Sequence, residues 1–211
     1  MGMEKGFQRI TEGIYRLKVP FDDIYTSVFL IRTNRGNALV DCATYDSDVD
    51  EIIIPALKEL GLSLNDIQYL ILTHEHSDHA GGAKRIIELN PNMEIVENER
   101  PLSFDGITVY GMKGHTLGCI GVLDARSGTL IAGDGLQGYC VGKYKCYLES
   151  KEEYLKTIEK IRKDQNIKNI LFSHAYEPWN RDYAFGRAEI EQCLEDCMTE
   201  ARRYHESDSH Q

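Results

Sequence analysis

The stretch Thr73-His74-Glu75-His76-Ser77-Asp78-His79 constrains this chain more than any other. It follows the apolar run Tyr69-Leu70-Ile71-Leu72 and precedes Ala80-Gly81-Gly82. The apolar run reads as a buried strand. The small residues, with the amphipathic Ala83-Lys84-Arg85-Ile86-Ile87-Glu88-Leu89 behind them, read as a helix start. Four side chains of metal-ligand type therefore occupy one strand-to-helix loop. His74 and His76, two apart in extended backbone, project to the same side, whereas Asp78 and His79 lie where the chain turns toward the helix. A chance cluster on a solvated loop is a poor account of so dense a pattern.

Three further candidates follow strand-like runs. Gly114-His115-Thr116 comes after Ile107-Thr108-Val109-Tyr110, Ala132-Gly133-Asp134-Gly135 after Thr129-Leu130-Ile131, and Ser173-His174-Ala175 after Ile170-Leu171-Phe172. Five of the seven histidines fall at these positions, and His205 and His210 lie near or in a polar tail, so none is left for a nucleophilic Ser/His or Cys/His triad.

The pattern H-x-H-x-D-H, with these downstream residues in order, resembles the signature of the metallo-β-lactamase superfamily from about Gly13 to Pro178. The likeness is to small single-domain members of the glyoxalase II or lactonase kind. It implies that His74, His76 and His115 hold one metal and Asp78, His79 and His174 a second, with Asp134 bridging. It also implies an α+β fold, a four-layer αββα sandwich of two mixed sheets flanked by helices, with the ligands at one edge. Ala38-Leu39-Val40-Asp41-Cys42 resembles the family's L-V-D-x-G stretch, whose aspartate orients a ligand or its loop; this places Asp41 behind the ligands. The glycine of that stretch is replaced here by Ala43.

Five imidazoles and two carboxylates suit two divalent ions, zinc first, with iron or manganese as alternatives. The resemblance then implies a metal-dependent hydrolase that uses a metal-bridging hydroxide on a small ester, thioester or lactone, with Asp78 orienting the water or accepting its proton. Histidine at 76, where flavodiiron proteins carry glutamate, favours hydrolysis over reduction of oxygen or nitric oxide. Glyoxalase II adds a helical region after the last histidine, and here 37 residues follow His174. N-acyl homoserine lactonases place a tyrosine where this chain has Gln137. The alternatives are a mononuclear iron sulfur-dioxygenase and a non-catalytic metal-bound interaction module.

Composition bounds the rest. With 211 residues, 42% hydrophobic, one domain over 1–203 followed by a disordered polar tail over 204–211 is the expectation. The formal charge of −10 disfavours nucleic acid as a partner. No apolar run is long enough to span a membrane and no signal-peptide core precedes the first strand, so a cytoplasmic location is expected. Cys42, Cys119, Cys140, Cys146, Cys193 and Cys197 are then expected as reduced thiols, with Cys193 and Cys197 sharing a helix face.

Ile14 to Val19 reads as a strand stopped by Pro20 and joined by Phe21–Tyr25 to Val28-Phe29-Leu30-Ile31. Phe21 and Tyr25 either touch substrate or anchor that turn. Asp46 to Leu60 reads as a helix kinked at Pro55, Glu152 to Arg162 as an amphipathic helix, and Tyr183 to Arg203 as a last helix. Residues 135–147 mix glycines, tyrosines and lysines. They are read either as a solvated basic loop or as a substrate loop in which Gln137, Tyr139, Lys143 and Lys145 contact a small-molecule substrate. Tyr176 and Trp179 either rim the pocket or anchor packing. The segment from His79 to His115 is short for the family, which leaves one side more open or an edge for another subunit in a homo-oligomer.

Overall fold

The computed structural model describes residues 6–102, 104, 106–137, 147–175 and 180–204. The chain divides into two compact units, one running to Glu97 and the other covering Asn98–Leu102 and the chain from Gly106 onward.

In the first unit β1 (Gln8–Thr11), β2 (Ile14–Phe21), β3 (Ile24–Thr33) and β4 (Gly36–Val40) form an antiparallel meander. A helical run follows: α1 (Asp46–Asp48), a π-helical turn over Val49–Ile53, and α2 (Ile54–Glu59). β5 (Ile67–Ile71) then adds parallel to β4, and after α3 (Ser77–Ala80) and α4 (Ala83–Leu89) comes β6 (Glu94–Val96), parallel to β5. The six-stranded sheet keeps chain order, β1 to β6. Leu30, Leu39 and Leu70 on its strands pack with Val49, Ile53, Leu57 and Ile86 of the helices in one buried cluster. The kink expected at Pro55 takes the form of the π-helical turn just before it. Proline has no N–H for the i→i−4 ladder, and the wider turn absorbs the mismatch.

Pro20 does not stop β2, which runs on to Phe21 with Pro20 opposite Tyr25. β1 partners β2 at Ile14, Tyr15 and Arg16, so among the described residues no strand pairs with the proline's stretch on that side, and a missing donor is tolerated there. The turn beyond it is tight, Asp22-Asp23 between Phe21 and its partner Ile24, with Asp22 at φ 49°.

The second unit carries β7 (Ile107–Gly111), β8 (Ile120–Asp124), β9 (Thr129–Ile131), α5 (Lys151–Lys163), β10 (Asn169–Leu171), β11 (Tyr183–Phe185) and α6 (Gly186–Arg203). Its sheet order is β11-β10-β9-β8-β7, with only β9 and β10 parallel; α5 belongs to the crossover that a parallel pair requires. α5 starts where Ser150 accepts a hydrogen bond from the Glu153 amide, and it buries Tyr154, Ile158 and Ile161. Against α6 it sets Arg162, which pairs with Glu191 at 2.6 Å and Glu195 at 3.1 Å.

Two strands differ from expectation. Ile120–Asp124 is a strand that sequence periodicity does not reveal, because all five residues are buried and no alternation survives. Tyr183–Phe185 is a strand rather than the first turn of the last helix. It pairs antiparallel with Asn169–Leu171, and Gly186, at φ 76°, turns the chain into α6. Tyr204, assigned by the sequence to the polar tail, is buried beside α6; residues 205–211 lie outside the described residues. Cys193 and Cys197 do share the buried face of α6, and the Cys193 thiol is pushed well up by its hydrogen bond with Cys197 and by burial. Among the described residues no helix is long and apolar enough to cross a membrane.

Candidate functional site

The candidate ligands are distributed over both units. In the first, His74 and His76 follow the C-terminal end of β5, while Asp78 and His79 occupy the short helix α3. Gly81 and Gly82 let that helix approach the end of β4 closely. A Cβ at Gly82 would lie 2.5 Å from the Cys42 carbonyl, and one at Gly81 would collide with the Thr44 carbonyl. The Cys42 amide donates to the His79 carbonyl at 2.8 Å and the Gly81 amide to the Ala43 carbonyl at 3.0 Å. The bend after β4 is correspondingly strained, with Asp41 at φ 62° and Ala43 at φ 60°. Aspartate tolerates the left-handed region; alanine is disfavoured there by about 1–2 kcal/mol.

That bend delivers the Asp41 carboxylate, fully buried, to the underside of the loop. Its Oδ1 accepts the Thr73 amide at 2.8 Å; its Oδ2 accepts the Thr73 hydroxyl at 2.9 Å and lies 2.8 Å from His79 Nδ1. A carboxylate is an acceptor only, so His79 carries its proton on Nδ1 and keeps a lone pair on Nε2. The same logic reaches His74. The Thr73 hydroxyl, having donated to Asp41, has only lone pairs left for His74 Nδ1 at 3.2 Å, which leaves His74 Nε2 unprotonated. His74 Nε2 faces His76 Nδ1 at 3.0 Å, and Asp78 Oδ2 lies 3.2 Å from His79 Nε2. Asp78 Oδ2 also accepts the hydroxyl of Thr26, from β3, at 3.1 Å.

In the second unit His115, Asp134 and His174 follow β7, β9 and β10. His115 Nδ1 lies 2.7 Å from the Tyr147 carbonyl, which fixes its proton there and leaves Nε2 as the donor atom. The Asp134 carboxylate faces both histidines, Oδ2 at 3.9 Å from His115 Nε2 and Oδ1 at 3.4 Å from His174 Nε2. Gly114, at φ 143°, is required because a Cβ would run into the backbone and Cβ of Tyr154. The Tyr154 hydroxyl in turn accepts the Gln137 amide at 3.1 Å.

The spacings within each unit are those of side chains that share a cation. Ligands about 2.1 Å from a tetrahedral ion stand about 3.4 Å from one another. The pairs His74–His76, Asp78–His79, Asp134–His115 and Asp134–His174 span 3.0–3.9 Å. Lone pairs held this close repel unless a proton or a positive ion lies between them. The residues present therefore fit a metal.

Of the other candidates, Tyr25 on β3 lies under the Lys18 ammonium, 4.3 Å from its ring centroid. Gln137 is buried and its side-chain amide reaches the candidate imidazole of His115, 2.6 Å from Nδ1; with that nitrogen's proton directed to the Tyr147 carbonyl, the amide oxygen and not the NH2 is the end that can accept there. Tyr139, Lys143 and Lys145 lie outside the described residues, as do Tyr176 and Trp179. The Cys42 thiol is buried, donates to the His79 carbonyl at 3.3 Å and is pushed well up by burial and by Asp41, which leaves it a poor nucleophile. Sequence reasoning missed Thr26 and Thr73. The available signal was a Thr-Ser pair opening the buried part of a strand otherwise apolar as far as Ile31, and a threonine just before the first histidine.

Residues 22–104 match the family described as the metallo-beta-lactamase superfamily. The chain is 27% identical over 197 residues to the hydroxyacylglutathione hydrolase of Vibrio cholerae serotype O1 (strain ATCC 39541 / Classical Ogawa 395 / O395), covering 81% of this chain and 73% of that protein. It is also 27% identical over 181 residues to that of Aliivibrio salmonicida (strain LFI1238), covering 78% and 66%. Among solved structures, a metallo-β-lactamase from Erythrobacter litoralis superposes with a TM-score of 0.70 at 18% identity, over 94% of this chain and 96% of that one. The mono-zinc form of the metallo-β-lactamase FIM-1 from Pseudomonas aeruginosa does so at 0.71 and 15%, over 92% and 95%. The structural likenesses extend over both units, and they show the fold.

Proposed function

Because this chain belongs to the metallo-β-lactamase superfamily, we propose that it is a metal-dependent hydrolase with two divalent ions, acting on a small ester, thioester or lactone. The observation that carries the reading is the Asp134 carboxylate, which turns one oxygen to His115 and the other to His174 as a bridging ligand must. His74, His76 and His115 would hold one ion and Asp78, His79 and His174 the other, with Asp134 shared between them. The donor set suits zinc first, and iron or manganese as well. When bound, the ions would supply a Lewis acid for the acyl oxygen and lower the pKa of a water to about 7.

The chain's own residues supply the rest. Asp41 and the Tyr147 carbonyl hold the Nδ1 protons of His79 and His115, so both imidazoles stay neutral donors through Nε2. The side chain of Asp78 is 14% exposed where that of Asp41 is 0%, which suits Asp78 to accept a proton from the attacking water and return it to the leaving alcohol or thiol. The hydroxyacylglutathione hydrolases among the relatives put a thioester first within the substrate class. On this reading both units act as one domain, in the cytoplasm.

The test is elemental analysis of protein purified without added metal, followed by a panel of thioesters and lactones. About two zinc ions per chain with thioester or lactone turnover is the expected result. One iron per chain, with oxygen consumption on a persulfide, would replace the hydrolase reading by that of a mononuclear sulfur-dioxygenase. No metal after reconstitution would leave an interaction module.

A further inference from the structure

The hydroxyl of Thr26 reaches the half-site from a direction the ligand motif does not include. Thr26 lies on β3, which is hydrogen-bonded on both sides, to β2 at Val19 and further along to β4, so the strand is a rigid support. The residue is 1% exposed, and its Oγ1 donates to Asp78 Oδ2 at 3.1 Å, across 52 positions of chain. The same carboxylate oxygen lies 3.2 Å from His79 Nε2.

We infer that Thr26 is a positioning residue for Asp78: its hydroxyl fixes the rotation of the carboxylate, so that the aspartate meets the ion it would share with His79. The inference rests on the metal reading above. Asp78 is the partly exposed carboxylate of this loop, carried on the four-residue helix α3, and water competes for its oxygens. A single donor from a fixed strand removes that freedom before any ion arrives, which is how a group behind a ligand raises affinity.

The bland alternative is that a buried hydroxyl simply takes the nearest acceptor. The neighbouring residue argues against it. Among the described residues Ser27 buries its hydroxyl on the same strand with no hydrogen-bond partner from the protein, so β3 does not pair every buried hydroxyl with a protein acceptor.

Thr26→Val keeps the shape of the side chain and removes the donor; Thr26→Ser keeps the donor. Both are made in the full chain, and zinc affinity is measured for each equivalent by competition with a chromophoric chelator, alongside thermal unfolding of the metal-free proteins. The expected result is a loss of about 10- to 100-fold in the affinity of one equivalent in Thr26→Val, with the other equivalent and the metal-free Tm unchanged, and recovery in Thr26→Ser. Wild-type affinity for both equivalents in Thr26→Val overturns the inference, as does a loss that Thr26→Ser fails to restore, or one accompanied by a lower metal-free Tm. If wild-type protein takes up no zinc, the metal reading falls as well, which separates the two failures.

Discussion

The two units assemble their candidate ligands by different means. In the first, His74, His76, Asp78 and His79 fall within six positions of one loop, and a single carboxylate behind it, Asp41, holds both Thr73 and His79. In the second, His115, Asp134 and His174 come from the ends of three different strands, and what holds them is packing and backbone: the Tyr147 carbonyl, Tyr154 against Gly114, and the β-sheet order. The first half is written in local spacing; the second is written in topology. The family match, which covers residues 22–104, coincides nearly with the first unit, whereas the likeness to solved structures covers both.

The sharpest way to break this comparison is to remove one ligand from each half. Asp134→Ala should abolish binding of both ions because its two oxygens face two histidines, and His76→Ala should remove one; either should cost about 10³-fold in kcat/KM with the far-ultraviolet circular dichroism unchanged. Full activity in either variant would end the hydrolase assignment. Next in size is Gly114→Ala. The added Cβ meets the backbone of Tyr154, and the result should be a loss of about 3 kcal/mol or more in urea unfolding, felt in the second unit. Chelation should then separate ligand placement from folding. Holo protein should be stabilised by about 2.7 kcal/mol when free metal stands at a hundredfold Kd, read as a Tm shift. The smallest effect is expected at Ala43→Gly, which relieves a left-handed alanine and should raise stability by about 1 kcal/mol, measured by the urea midpoint with m unchanged.

Legibility followed the same division. The strand before His74 and the helix starting near Ala83 could be read from residues 69–89, because each is a short-range pattern; the place of Asp41 behind the loop was implied by the resemblance of Ala38-Leu39-Val40-Asp41-Cys42 and not by spacing, since its partners Thr73 and His79 lie 32 and 38 positions away. β8 could not, since Ile120-Gly121-Val122-Leu123-Asp124 is buried on both faces and carries no period. β11 was hidden for a different reason: Tyr183-Ala184-Phe185 suits either state, and its partner β10 decides it. The Thr26–Asp78 bond spans strand and helix and has no sequence spacing to announce it. Pro20 misled through propensity, because its missing donor matters only where a neighbouring strand needs it.

The burial of the thiols has a practical consequence. Cys42 belongs to the first unit and Cys119, Cys193 and Cys197 to the second, and all four are at most 2% exposed. Once Cys140 and Cys146 are replaced, each remaining sulfur becomes a chemical clock on the unit that encloses it. Alkylation of Cys42 times the opening of the ligand loop, through its bond to the His79 carbonyl, and alkylation of the other three times the opening of the strand-end scaffold.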